Sequence, residues 1–108
     1  MSDARALYKV AFAHFVSDQL EEAVVAYRQA LDADPKLAIA WNGLAMALAQ
    51  RGDLDGALEA GRKLVELEPD EPLGHTSLSI FYQRKGMIPE AEEEKALAMR
   101  LSMKRKPA

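Results

Sequence analysis

Apolar residues in the middle of the chain recur at helical spacing, stop at a glycine and then resume. The first run places its members three, four and seven positions apart on one face of an α-helix, at Trp41, Leu44, Ala45 and Leu48. Gly52 interrupts this run, a second helical run begins at Leu54, and Pro69 ends it. Residues 38–71 therefore predict two helices joined by a tight turn.

The same pattern occurs 34 residues earlier and 34 residues later in the chain. Two sets of equivalent positions show the repeat: Ala23, Ala57 and Ala91, and Leu20, Leu54 and Ile88. One such hairpin cannot bury its apolar face alone, so neighbouring hairpins must stack on it. We therefore predict an all-α protein with six helices in three stacked hairpins. The chain is one domain, residues 1–108, with repeats at 4–37, 38–71 and 72–105.

The repeat length and several residues resemble the tetratricopeptide repeat family. The local matches are W-N-G-L-A at Trp41–Ala45 and Y-R-Q-A-L, followed by Asp-Pro, within Tyr27–Pro35. The resemblance covers nearly the whole chain. It implies a right-handed superhelical stack of helix-turn-helix hairpins and a non-catalytic module that binds other proteins.

The chain departs from the family pattern at a few positions. Gly61 and Lys95 stand where the first repeat has the aromatic Tyr27. Asp18 replaces the turn glycine of the other repeats, and Asp tolerates the left-handed conformation better than most residues. Met103 stands where the other repeats have proline, so the last helix, from about Pro89 to Met103, is expected to run past the usual stop.

Turn residues set the limits of the other helices. The first two helices are predicted at about 4–16 and 20–33. Gly52 and Asp53 combine a glycine that ends one helix with an N-cap that starts the next. Asp34 and Pro35 are predicted to cap the third helix, with proline at its first position.

The resemblance also implies a binding surface, because the first helix of each hairpin in this family lines a concave groove that binds peptides or extended segments. Position by position, the groove residues are Tyr8, Phe12, Phe15, Ile39, Asn42, Met46, Leu73, Thr76, Ile80 and Gln83. Phe12, Met46 and Ile80 share one position of the repeat, and together with Tyr8 and Phe15 they are predicted to form an apolar stripe. Such a stripe marks an interaction site if it is exposed. The alternative is that helix rotation or an N-terminal segment buries it.

Some family members hold the carboxylate of a chaperone tail with Lys, Asn and Arg side chains. At those positions this chain has Tyr8, Phe12, Gly43, Leu73 and Ser77, so that clamp is absent. An apolar or amphipathic ligand, such as a helix laid in the groove, fits the residues better. The polar residues available to hydrogen-bond its backbone are Asn42, Gln50, Gln83 and Arg84.

The last helix offers an alternative interface. Ala96, Met99 and Met103 lie along one side of it, where a longer array would receive the next repeat. A partner protein or a second copy covers this side in one interpretation; in the other, Met99 and Met103 fold back onto the third hairpin. The rival function is therefore a structural subunit of a larger complex or homo-oligomer. The short basic tail, residues 104–108, is expected to be a solvated end.

Composition adds mainly exclusions. The 108 residues contain no cysteine and carry a formal net charge of −3, which argues against nucleic acid as the main partner. We find no nucleophile motif or phosphate loop, and His14 and His75 fall at packing positions of the repeat. We therefore expect no enzymatic activity, no metal and no cofactor. We also expect no signal peptide, no membrane span and a cytoplasmic location.

Overall fold

The computed structural model describes residues 3–105, which form six α-helices. Their bounds are α1 Ala4–Val16, α2 Leu20–Ala33, α3 Ala38–Gln50, α4 Leu54–Leu67, α5 Pro72–Arg84 and α6 Ile88–Arg105. The predicted bounds of the first two helices are confirmed. The last helix starts one residue before the prediction and continues two residues past Met103, as the missing proline indicated. Residues 106–108 of the predicted basic tail lie outside the described residues, and Lys104 is exposed.

The turn inside each hairpin contains one residue in the left-handed conformation. These residues are Asp18, Gly52 and Gly86, with φ of 62°, 94° and 81°. In each turn the next amide N–H donates to the carbonyl five residues earlier, as Asp53 does to Leu48 at 2.9 Å. This bond satisfies a carbonyl at the helix end that has no partner within the helix. Asp18 therefore replaces glycine in the first turn, as predicted.

The predicted cap of the third helix is wrong. The Asp34 side chain accepts a hydrogen bond from the Lys36 N–H at 3.0 Å and so stabilises a turn instead. The indole Nε1 of Trp41 donates to the Pro35 carbonyl at 2.8 Å, which holds Pro35 outside the helix. Helix α3 begins only at Ala38, after Leu37. By contrast, the α5 helix does begin at a proline, Pro72.

Alanine-rich faces allow the helices to pack closely. Each hairpin pairs α1 with α2, α3 with α4, and α5 with α6, while α2 also packs on α3 and α4 on α5. Within residues 3–105, seven alanines are completely buried: Ala11, Ala23, Ala30, Ala40, Ala45, Ala47 and Ala57. Because a methyl side chain projects little, neighbouring helix backbones approach closely. The result is a stack with extents of 41 × 34 × 21 Å.

Each junction between hairpins places a large side chain against a very small residue. At the first junction, the ring of Tyr27 covers Gly43 so closely that an added Cβ would lie 2.3 Å from the ring. At the second junction the roles are exchanged. Gly61 occupies the position equivalent to Tyr27, and an added Cβ would lie 2.8 Å from Leu78, with Phe81 beside it. Leu78 and Phe81 of α5 therefore occupy the space that an aromatic ring at position 61 would fill.

An ion pair repeats beside both junctions. Arg51, at the end of α3, contacts Glu21 of α2 at 2.7 Å. Lys85, at the end of α5, contacts Asp55 of α4 in the same way, 34 residues further along. Both acids are largely exposed, so each pair contributes little stability. The pairs occupy the same repeat positions at both junctions, which is consistent with the register set by the buried contacts.

The Tyr27–Gly43 contact generates a stability prediction. Gly→Ala inside a helix normally stabilises by about 0.5–1 kcal/mol. Here we expect Gly43→Ala to lower the free energy of unfolding by about 1–3 kcal/mol, because the new methyl group overlaps the Tyr27 ring. Chemical denaturation measures the change. In a Tyr27→Leu background the same substitution should cost less, and an undiminished cost there would contradict the contact.

Burial of the same tyrosine generates a pH prediction. Burial, with a smaller effect of Tyr8, raises the pKa of Tyr27 from 10.0 to about 12. The unfolded chain therefore releases this proton near pH 10, while the folded protein retains it until about pH 12. Stability should fall as the pH rises through this window. Denaturation measured across it should show a shallower decline for Tyr27→Phe, and identical declines for both proteins would refute the assignment.

Candidate functional site

Three of the five residues of the predicted apolar stripe are exposed in the structure. Phe12 of α1, Met46 of α3 and Ile80 of α5 have 48%, 37% and 42% of their surface accessible. They occupy the same position in successive repeats, one on the first helix of each hairpin. Neither helix rotation nor any segment within residues 3–105 buries them. Exposed large apolar side chains in a row have a cost in water that a binding partner removes.

The other predicted groove residues divide into exposed and partly buried sets. The exposed set is Ile39, Leu73, Thr76 and Gln83. Tyr8 and Phe15, the other two residues of the predicted stripe, are partly buried and pack against the core, so the prediction that they are exposed is wrong. The Tyr8 ring stacks on Phe12 with centroids 6.2 Å apart and lies 5.8 Å from the Tyr27 ring. Tyr8 therefore connects the exposed stripe to the buried junction and holds Phe12 in place.

Asn42 lies in the middle of the predicted groove and is incompletely satisfied. Its Oδ1 atom is buried and has no hydrogen-bond donor among residues 3–105. A buried acceptor without a partner typically costs about 1–3 kcal/mol. Stability alone gives no reason for an asparagine at this position.

A cleft between α5 and α6 lies next to the stripe. It has a volume of about 490 Å³ and is lined by Thr76, Ser79, Ile80, Gln83, Lys95, Ala98, Met99, Ser102 and Met103. We call it the end cleft. Met99 and Met103 are 59% and 70% exposed, so they do not fold back onto the third hairpin. Ala96 is exposed but does not line the cleft.

The end cleft joins two surfaces that the sequence treated as alternatives. Thr76, Ile80 and Gln83 belong to the predicted groove, while Met99 and Met103 belong to the predicted interface on the last helix. The sequence reasoning missed the remaining lining residues, which are Ser79, Lys95, Ala98 and Ser102. The 34-residue register identifies them. They are equivalent to residues beside the internal junctions, as Lys95 is to Tyr27.

The histidines make structural contacts. His14 Nδ1 lies 2.7 Å from Gln19 Oε1 across the first turn. His75 Nδ1 lies 2.7 Å from Glu94 Oε1, which links α5 to α6. Within residues 3–105 there is no group of three or more His, Asp or Glu side chains suited to a metal ion. None of the helices in that range combines the length and apolarity needed to cross a lipid bilayer.

Three stacked helical hairpins with exposed apolar residues on successive first helices define a helical-repeat protein. The tetratricopeptide repeat family model matches residues 8–72, which is more than half of the chain. The chain therefore belongs to the tetratricopeptide repeat family.

Solved structures share this fold. The crystal structure of MamA is similar with a TM-score of 0.92 and 26% identity, over 95% of this chain and 60% of that chain. The first such domain of Spaghetti (RPAP3), bound to an HSP90 peptide, has a TM-score of 0.87 at 18% identity, over 91% and 78% of the two chains. At that identity the likeness shows the fold alone.

A curated relative matches over a shorter stretch. A pentatricopeptide repeat-containing protein of Arabidopsis thaliana is 40% identical over 52 residues, which are 48% of this chain and 7% of that protein. The chain thus spans a small part of this relative and about 60% of the MamA chain.

The buried oxygen of Asn42 generates a prediction. We expect Asn42→Leu, whose side chain branches at the same carbon, to leave the free energy of unfolding unchanged or raise it by about 1 kcal/mol. Asn42→Asp should lower it, because a charge is added at a buried position. Chemical denaturation of both variants checks this. A clear loss of stability in Asn42→Leu would mean that the amide is satisfied in the folded protein.

Proposed function

We propose that the protein is a non-catalytic interaction module that binds a peptide or helical segment of another protein in the groove along α1, α3 and α5. The exposed row of Phe12, Met46 and Ile80 is the observation that supports this most directly. Covering these side chains with a complementary apolar surface removes them from water and lowers the free energy.

The arrangement of the row favours an amphipathic ligand. Phe12, Met46 and Ile80 come from three different helices, so one segment must cross all three to contact them. Apolar side chains on one face of the ligand would meet the row, while its other face remains in water. The HSP90 peptide of the RPAP3 neighbour is not the ligand proposed here. The chaperone-tail clamp positions of this chain hold apolar, aromatic or small residues.

Asn42 offers a polar group beside the row. It lies one helical turn before Met46 on α3. Its Oδ1 atom is buried and out of reach of a ligand, so a hydrogen bond to the ligand backbone would be donated by the side-chain NH2 group.

We further propose that the protein has no enzymatic activity and acts in the cytoplasm. Its serine and histidine contacts support the first point. Ser79 donates to the Ala91 carbonyl at 2.9 Å, and each histidine has a polar partner on a structural element. No nucleophile and base are placed together among these side chains. The cytoplasmic location is an expectation from the cysteine-free sequence.

A second candidate function is that of an assembly subunit that docks through the end cleft. The exposure of Met99 and Met103 favours it, because both side chains line one side of an open apolar cleft. This function requires no contact at Phe12 or Met46. The two candidates therefore predict different effects of mutation.

The test compares capture of partner proteins from the native lysate by wild type and by Phe12→Glu/Met46→Glu. We expect a partner to be lost by the double variant, with affinity reduced at least about tenfold, because charges in an apolar contact must be desolvated. The partner, once identified, is then measured as a purified segment by calorimetry. Circular dichroism verifies that each variant is folded.

A matched control carries the same chemical change elsewhere. Val16 and Val25 are also exposed apolar residues, but neither is a groove residue. Val16→Glu/Val25→Glu should bind as wild type does. If the groove variant retains the partner, the groove is not the site. If both double variants lose it equally, added charge alone explains the loss.

A further inference from the structure

The internal junctions show what fits the end cleft. On the first and second hairpins the equivalent surface is covered by the next helix, α3 or α5. Each covering helix presents a small residue, an apolar residue four positions later and another three positions after that. These residues are Ala40, Leu44 and Ala47 on α3, and Gly74, Leu78 and Phe81 on α5. All six are buried. A helix with this face is the expected occupant of the end cleft.

Helix α1 of a second copy has the same pattern. Its equivalent residues are Ala6, Val10 and Ala13, which are exposed in this structure. By the repeat pattern alone, copies of the chain would therefore stack head to tail. A head-to-tail contact of this kind does not close on itself and leads to open filaments unless a ring forms.

Charge opposes that stacking at the point of closest approach. Tyr27 meets Gly43 at the first junction, and the equivalent residues are Lys95 at the end cleft and Lys9 on α1. In a stack of copies, two lysine side chains would therefore face each other where the first junction packs a tyrosine ring on a glycine. Like charges brought together at an interface are strongly unfavourable.

The repeated ion pair is also missing at such a contact. The internal junctions join Glu21 to Arg51 and Asp55 to Lys85. In a stacked copy the equivalent residues are Pro89 and Ser17, neither of which carries a charge. Two independent positions that favour the internal junctions therefore fail to favour stacking of copies.

Lys95 also defines what the cleft would accept. It is the one charged side chain among the lining residues, and it has no ion pair within residues 3–105. Two hydroxyls of the lining are already used, since Thr76 donates to the Pro72 carbonyl and Ser79 to the Ala91 carbonyl. A negative charge on the incoming helix at the position of Lys9 would pair with Lys95.

We propose that the end cleft binds an amphipathic helix of another protein that carries an acidic residue directly before its central apolar residue, and that the Lys9–Lys95 pair prevents copies of this chain from occupying it. The inference rests on the second candidate function, docking through the end cleft, and names the helix that would dock there; its contact at Lys95 is separate from Phe12 and Met46 of the groove.

The test uses the chain's own α1 as the probe helix. Lys9→Glu supplies the acidic helix opposite Lys95, and Lys95→Glu reverses the pair. We expect both single variants to associate head to tail at least about tenfold more tightly than wild type, measured by sedimentation. The double variant Lys9→Glu/Lys95→Glu restores like charges and should associate no more tightly than wild type. Added salt should weaken the association of the single variants.

Lys36→Glu is the matched control, because it makes the same change of net charge on an exposed lysine away from both ends. Circular dichroism verifies folding of all five proteins. Wild type that associates as tightly as the single variants would overturn the proposal, as would single variants that associate no more than Lys36→Glu. Phe12 and Met46 remain intact throughout, so this outcome is independent of the groove test.

Discussion

The stack depends on the close packing of large side chains against a glycine at each junction between hairpins. Tyr27 on Gly43 and Leu78 with Phe81 on Gly61 bring neighbouring hairpins within range of their alanine faces. None of the three hairpins can bury its apolar face alone, so the folded protein is stable only when these junctions form. The orientation of the first helices, and with it the exposure of Phe12, Met46 and Ile80, follows from the same contacts.

Periodicity predicted most of this fold because helix, turn and repeat each leave a local signal. The left-handed conformation of Asp18 and the N-cap at Asp53 could both be predicted from neighbouring residues. The start of α3 could not. Asp34 accepts from the Lys36 N–H in a turn, and Trp41 donates to the Pro35 carbonyl six residues away. The capping rule for Asp-Pro considers neither bond.

The sequence predicted which residues occupy equivalent positions of the first helices, but not how exposed they are or which of them lie together. The repeat register identified the positions of the stripe. The exposure of Met99 and the burial of the Asn42 oxygen can be seen only in the structure. The sequence also did not predict that Phe81 packs beside Gly61, because the two residues belong to different repeats. Sequence alone presented the groove and the last helix as rivals, although Ile80 and Met99 line one cleft.

The central position of the middle hairpin affects how the protein unfolds locally. Helices α3 and α4 are the pair with a neighbouring hairpin on both sides, whereas α1–α2 and α5–α6 each have one. Cooperative units in such stacks lose protection in the order in which they lose neighbours. We therefore expect amide hydrogens of the outer hairpins to exchange with solvent through openings that leave the centre intact. We expect those of α3 and α4 to exchange more slowly, because their exposure requires both junctions to separate. A ligand that spans α1, α3 and α5 would couple the three units and make their opening concerted.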